Sequence, residues 1–198
     1  MSLGITYRSP VRMYMLQGIA KFDVPESLRD IYPDMRFSTE FTLPGVLNFG
    51  IGYRPDERWL LAFDLNITSW NNFDSLSFAF EQNIPPGNDW PERRGFVNAA
   101  TFRVGGEYQL NEKLRFRGGA YYDQSPVPEG FVSPELPDAD RIGLSLGMGI
   151  NIVERLYIDV SWNYEFTGER TAILDEAVFG GTYQTSTHIA GIGLRYEF

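Results

Sequence analysis

The chain lacks cysteine altogether, carries a single histidine, and has nothing resembling a long apolar run. Each shortage excludes something. A membrane-spanning helix needs roughly 18 uninterrupted apolar residues, so with a mean hydropathy of −0.25 the chain is no helical membrane protein. Without cysteine there is no disulfide framework and no thiolate nucleophile or metal ligand, an absence that also fits export through an oxidising periplasm. With His188 as the only histidine, no multi-histidine metal site can be assembled, a lone rim histidine makes a poor catalytic constellation, and no cofactor is implied. Basic residues are also in short supply: 17 Lys and Arg against 26 Asp and Glu give a net charge of −9, which argues against nucleic acid as a partner. A secretory leader is missing too, since Met1-Ser2-Leu3 runs directly into strand-like Gly4-Ile5-Thr6-Tyr7-Arg8. Export would need sequence upstream, and truncation at the amino end is the expectation.

What the chain does have is alternation. From Thr187 onward, His188, Ala190, Ile192, Leu194, Tyr196 and Phe198 share one face, opposite Thr187, Gly191, Gly193, Arg195 and Glu197. Leu156, Ile158, Val160, Trp162, Tyr164 and Phe166 alternate with polar residues in the same way, as do Ile142, Leu144, Leu146, Met148, Ile150 and Ile152. Successive strand side chains point to opposite faces. An apolar band with aromatic ends on one face and small or charged groups on the other is the signature of a transmembrane β-strand. The pattern predicts an all-β, antiparallel up-and-down transmembrane barrel.

Period-2 runs and turn signals predict nine strands, at about 3–8, 12–22, 45–54, 58–70, 99–110, 113–123, 141–152, 155–166 and 187–198. Tight turns are expected at Ser9-Pro10-Val11, Pro55-Asp56-Glu57, Asn111-Glu112-Lys113 and Val153-Glu154-Arg155, alternating with long connections. Short periplasmic turns and long extracellular loops are what an outer-membrane barrel shows, which places the carboxy terminus at the periplasmic rim. Three of the turns repeat one plan, an apolar residue entering, three polar residues, and an apolar residue leaving. An odd strand count cannot close an up-and-down barrel, and an open edge in lipid costs several kcal/mol per unpaired backbone group. The sequence is therefore expected to supply one part of a barrel, over residues 1–198.

The inward face collects the charges, among them Arg103, Glu107, Arg115, Arg117, Arg141, Asp159 and Arg195. If Leu110 and Leu114 flank the Asn111 turn, Glu107 lies opposite Arg117 and Gln109 opposite Arg115. Two readings are open, a lumen network that holds the strands and basic groups that receive an anionic headgroup. Glycine is also biased inward, either relieving curvature or leaving room for a ligand. His188 falls on the lipid-facing register near a loop, where an aromatic-girdle position explains it. In the first long loop, Pro25 suits the first turn of a short helix that would align Leu28, Ile31, Tyr32 and Met35. Such an apolar face either packs on neighbouring loops or forms one wall of a groove for an apolar ligand.

Several stretches resemble the carboxy-terminal part of the long-chain fatty-acid and aromatic-hydrocarbon outer-membrane transporter family (FadL/TodX). They are Leu3-Gly4-Ile5-Thr6-Tyr7-Arg8-Ser9-Pro10-Val11, Ile67-Thr68-Ser69-Trp70-Asn71-Asn72-Phe73-Asp74, and above all Tyr121-Tyr122-Asp123-Gln124-Ser125-Pro126-Val127-Pro128. Pro134-Glu135-Leu136-Pro137-Asp138-Ala139-Asp140-Arg141 and the terminal Gly191-Ile192-Gly193-Leu194-Arg195-Tyr196-Glu197-Phe198 complete the match, which covers essentially the whole chain. The resemblance implies a 14-stranded barrel with a lumenal hatch, of which this chain would be the last nine strands, without the hatch and the early strands. It implies no enzyme but a passive carrier of hydrophobic small molecules across the bacterial outer membrane, with outer-membrane lipid around it. By the same resemblance, Leu28, Ile31, Tyr32 and Met35 correspond to a groove-forming loop. Gly193, Tyr196 and Phe198 resemble the signal read by the barrel-assembly machinery, with Gly191 standing where a polar residue is expected. The rival reading is a structural or adhesive outer-membrane barrel whose loops bind a surface partner. A soluble lipid-binding barrel is a third class, against which the outward aromatic rows argue.

Overall fold

The computed structural model describes residues 1–73, 75–82, 84, 92–93, 95–132, 137–174 and 179–196. Strands follow one another as β1 (Ser2–Arg8), β2 (Val11–Ala20), β3 (Met35–Leu43), β4 (Val46–Tyr53) and β5 (Trp59–Thr68). Next come β6 (Ser75–Phe80), β7 (Glu92–Arg93), β8 (Ala99–Gln109), β9 (Leu114–Asp123) and β10 (Arg141–Val153). The last four are β11 (Leu156–Thr167), β12 (Arg170–Leu174), β13 (Phe179–Tyr183) and β14 (Ser186–Tyr196). Eight of them form one antiparallel wall in the order β1-β4-β5-β8-β9-β10-β11-β14. A smaller sheet, β2-β3-β6-β7, and the hairpin β12-β13 stand apart from it. No described helix is long and apolar enough to cross a membrane.

The wall therefore has eight strands rather than nine. The stretch expected as a separate strand at 12–22 is β2, and Ser9-Pro10-Val11 is not a turn. Arg8 pairs with Val46 and Val11 with Leu43, one unbroken antiparallel register that puts Pro10 opposite Pro44. Neither proline has an N–H to donate, and the ladder lapses at the Ser9/Gly45 and Pro10/Pro44 positions while the hairpin runs on. The two prolines and Gly45 crowd together: a Cβ on Gly45 would come within 3.0 Å of Pro10 Cδ. The β1/β4 hairpin thus belongs to the wall, and its continuation β2/β3 belongs to the extension. A one-residue bulge between Met15 and Gly18 further re-aims β2.

Register across the wall keeps the two faces separate. Phe63, Val104, Ala120, Leu144, Tyr164 and His188 form one cross-strand row on the apolar face. On the polar face, Thr6, Asn48, Asn66, Thr101, Asp123, Arg141 and Thr167 form another. Ile189, opposite Asn163, is an apolar residue on the polar face of β14. The apolar face is open to its surroundings, with Leu146 63% and Ile192 82% exposed. His188 stacks on Tyr164, ring centroids 4.6 Å apart, in a column with Trp162 and Phe166.

Short turns join the wall strands at one end. Asp56 Oδ1 accepts from the N–H groups of Arg58 and Trp59 at 2.8 and 2.9 Å. Asn111 Oδ1 does the same for Lys113 and Leu114, both at 2.9 Å. This shared side-chain cap is the physical content of the repeated turn plan. The third turn instead holds Arg155 at φ 74°.

Two-faced register predicts a two-faced response to charge. Lys at Leu146, Val160 or Ile192 is expected to cost about 2–4 kcal/mol at the bilayer midplane, whereas Lys at Ser145 or Ser161 is tolerated. Folding into liposomes, followed by heat-modifiable gel mobility, measures the contrast, and equal losses on the two faces would contradict the register.

Candidate functional site

The polar face is organised by residues that reach over glycines. On β9, Tyr121 extends across Gly143 of β10, and its hydroxyl donates to Glu165 Oε2 of β11 at 2.5 Å. A Cβ at Gly143 would lie 2.0 Å from the Tyr121 ring, so the absent side chain is what lets the ring pass. Arg117 faces Glu107 in the register predicted from the Asn111 turn. Its Nε donates to Glu107 Oε2 and its Nη1 to Asp159 Oδ1, both at 2.7 Å. Asp159 in turn lies over Gly149. Between these clusters the face sinks into a depression of about 650 Å³ floored by Ala62, Gly105, Gly119 and Ser145.

The other sequence-predicted cations divide by partner. Arg141 donates to Asp138 Oδ1 at 2.5 Å and stands 3.9 Å from Asp123, whose second oxygen accepts from Thr101. Arg195 lies over the Tyr157 ring, 4.2 Å from its centroid. Arg115 is opposite Gln109 and Gly149. Arg103 is opposite Asp64 and Tyr121, but no described residue forms an ion pair with it. The Asp64 carboxylate leans the other way, over Gly50.

Beyond the wall, the connection after β9 folds back as a lid. Arg170 of β12 holds it, donating to the carbonyl oxygens of Val127 at 2.6 Å and Asp138 at 2.7 Å and to Ser125 Oγ at 3.2 Å. Ser125 Oγ donates to Asp138 at 2.8 Å, while Asp140 accepts from the Ser125 N–H and from the Tyr122 hydroxyl. Val127, Val132 and Ala172 form a small buried core beneath this network. Under the lid lies a chamber of about 500 Å³ with Trp70, Phe96, Pro126 and Val127 on one side and Asn66, Thr101, Arg103 and Arg141 on the other. Neither Arg170 nor the chamber was foreseen. Arg170 binds mainly backbone carbonyls, which leave no trace in sequence. The run from Asp138 to Arg141 was the visible signal.

Of the loop residues expected to share a helix face, Leu28 closes a single 3-10 turn over Glu26–Leu28, with Pro25 at its cap. Leu28 and Ile31 are 38% and 43% exposed. Tyr32 packs against Phe22 at 5.9 Å, which continues through Phe80 to Phe37 and Phe78. Met35 is not helical but opens β3, where it is buried. A second chain of rings, Phe41, Phe73, Phe96 and Trp70, spaced 5.9–6.3 Å, runs from β3 to the chamber. Gly193 and Tyr196 lie on β14, and Phe198 falls outside the described residues. Among the described residues no three His, Asp or Glu side chains are grouped to hold a metal.

A protein-family model for outer membrane protein transport proteins (OMPP1/FadL/TodX) matches residues 1–198. The long-chain fatty acid transport protein of Escherichia coli O6:H1 is 28% identical over 172 residues, covering 81% of this chain and 38% of that protein. Outer membrane protein P1 of Haemophilus influenzae is 24% identical over 169 residues, covering 80% of this chain and 36% of that protein. Among solved structures, a Pseudomonas aeruginosa FadL homologue superposes with a TM-score of 0.79 at 22% identity, covering 98% of this chain and 48% of the homologue. The P. putida toluene transporter TodX gives 0.59 at 17% identity, covering 99% and 45%. These structural likenesses establish the barrel fold. The chain spans less than half the length of these relatives.

The Gly143 crossing is testable by a double-mutant cycle. Gly143→Ala should displace Tyr121 and forfeit its bond to Glu165, costing about 1–2 kcal/mol in urea unfolding. In a Tyr121→Ala background the same change should cost almost nothing, and additive losses would show that the crossing is unimportant.

Proposed function

We propose, because this chain belongs to the outer-membrane transport protein family (OMPP1/FadL/TodX), that it forms the carboxy-terminal wall and loops of a passive channel for hydrophobic small molecules. With the family fixed, the apolar face is the lipid face of an outer-membrane barrel and the polar face lines its lumen. Ligand is captured outside the membrane at the loop carrying Leu28, Ile31 and Tyr32, with Met35 as buried support. It then moves along the ring chains toward the lumen. The observation that carries this reading is the pair of aromatic chains on the extension, one reaching Tyr32 and the other ending at the chamber. Apolar burial at roughly 25 cal/mol per Å² supplies the affinity. In the lumen, Glu107, Arg117, Asp159 and Arg141 engage one another and their neighbours, so they hold the wall in shape. Arg115 and Arg195 line it beside them. Gly193, Tyr196 and Phe198 serve as the recognition strand for the assembly machinery.

Replacing Leu28, Ile31 and Tyr32 together with Ser removes the exposed loop contacts while leaving every wall residue in place. Uptake of labelled fatty acid and of labelled toluene by cells making the full-length protein should fall severalfold at low concentration and recover at high concentration, with unchanged surface barrel. Unaltered uptake would reject the capture loop. No uptake of any hydrophobic compound by the unmutated protein would favour the structural or adhesive barrel instead.

A further inference from the structure

At the end where the short turns lie, the apolar side of the wall is not flat. It sinks into an open depression of about 1330 Å³ between the β4/β5 turn, the β8/β9 turn and the end of β10. Met148 and Ile150 of β10 line it while Gly149 between them does not, and Leu114 of β9 lines it while Arg115 does not. The depression therefore opens toward lipid and away from the lumen. The bulge between Asn151 and Val153 leaves Ile152 without a partner on β11, exposed at the edge of the depression. On the membrane side it is bounded by an aromatic row, in which Trp59 stacks on Tyr108 at 4.7 Å and the register continues through Phe116 to Met148. Such rings sit at the level of lipid headgroups, and short turns face the periplasm. Beyond the row, four charges line the depression, Glu57 and Arg58 on one turn and Glu112 and Lys113 on the next. Among the described residues none of the four forms an ion pair, unlike Arg117 and Arg141 on the lumen face. Both turns are fixed to the wall: the Gln109 N–H donates to the Arg58 carbonyl oxygen and the Asn151 N–H to that of Lys113, each at 2.8 Å.

We propose that this depression holds one phosphatidylethanolamine molecule of the periplasmic leaflet, its phosphate between Arg58 and Lys113, its ammonium on Glu57 and Glu112, and its acyl chains along Leu110, Leu114 and Ile150. The charge pattern chooses the headgroup. Two cations and two carboxylates, paired turn by turn, match a zwitterion that carries both signs side by side. An anionic headgroup would meet two carboxylates that it cannot satisfy. A quaternary ammonium has no N–H to donate to them, whereas a primary ammonium has three. The volume exceeds the roughly 300–1,000 Å³ of a small-molecule pocket, leaving room for a headgroup and the upper part of two chains. The site depends on the outer-membrane placement of the chain and not on what the channel carries.

For the test, the full-length protein in detergent is offered equal amounts of phosphatidylethanolamine, phosphatidylcholine and phosphatidylglycerol with identical acyl chains, and retained lipid is counted by native mass spectrometry. Phosphatidylethanolamine should bind about tenfold more tightly than either of the others, as charge-assisted contacts at an open site imply. Glu57→Gln combined with Glu112→Gln should erase the preference over phosphatidylcholine and raise retention of phosphatidylglycerol. Arg58→Gln combined with Lys113→Gln should bring all three lipids to one low level. Glu154→Gln, on the next turn and outside the depression, should change nothing. Glycerophosphoethanolamine, the headgroup without chains, should compete only weakly. Heat-modifiable mobility checks that each variant is folded. Equal retention of the three lipids by the unmutated protein, a preference for phosphatidylglycerol, or a phosphatidylethanolamine preference that survives both double variants would overturn the proposal. Full competition by the chain-free headgroup would overturn it as well, leaving an ion site and no lipid site. Each of these results leaves the transport reading standing, because that reading is decided by uptake.

Discussion

The antiparallel backbone ladder is the constraint on which the rest depends. Inside a bilayer no water is available to an unpaired N–H or C=O, so each strand must give its backbone groups to its neighbours. From β4 through β11 every wall strand is paired on both sides. Once the backbone is satisfied in this way, the side chains are free to serve two solvents at once. Leu144 and Leu146 meet lipid while Ser145 between them faces the lumen, and the same division is carried strand by strand around the wall.

Where the ladder is interrupted, the molecule changes character. Pro10 and Pro44 meet at one rung, and past them the hairpin leaves the wall and becomes a projecting sheet covered in aromatic rings. Wall and extension are thus made from one continuous hairpin. The second organising device is the side chain that crosses a strand. Tyr121 reaches Glu165 over Gly143, and Arg117 gathers Glu107 and Asp159, so β8, β9 and β11 are linked through a strand that contributes only a glycine. These links compensate Arg117, Glu107 and Asp159 and leave small-residue ground beside them.

Much of this was legible in sequence because period-2 alternation is a local property. The faces of β10, β11 and β14, the Asp56 and Asn111 turns, and the opposition of Glu107 to Arg117 all follow from neighbours in the chain. Pro10 misled because a serine-proline step looks the same whether it turns the chain or lets it pass. Only the register with Pro44, distant in sequence, tells the two apart. The loop helix stops after one turn because residues 29–31 continue only as turns, Pro33 cannot extend a helix, and Met35 already opens β3. Arg170 and the Tyr121 crossing were invisible for a related reason: each depends on three segments meeting, and no pairwise pattern records that.

The central claim, that one strand serves lipid and lumen on alternate residues, is open to a direct measurement. Because the chain has no cysteine, single thiols can be placed one at a time at Leu144, Ser145, Leu146, Gly147, Met148, Ile150 and Asn151 of β10. Each variant, folded in liposomes, is offered a membrane-impermeant maleimide and a lipid-soluble one. The account predicts a strict period of two, with positions 144, 146, 148 and 150 reached only from lipid and positions 145, 147 and 151 only from water. Uniform labelling along the strand, or a period near 3.6, would contradict it.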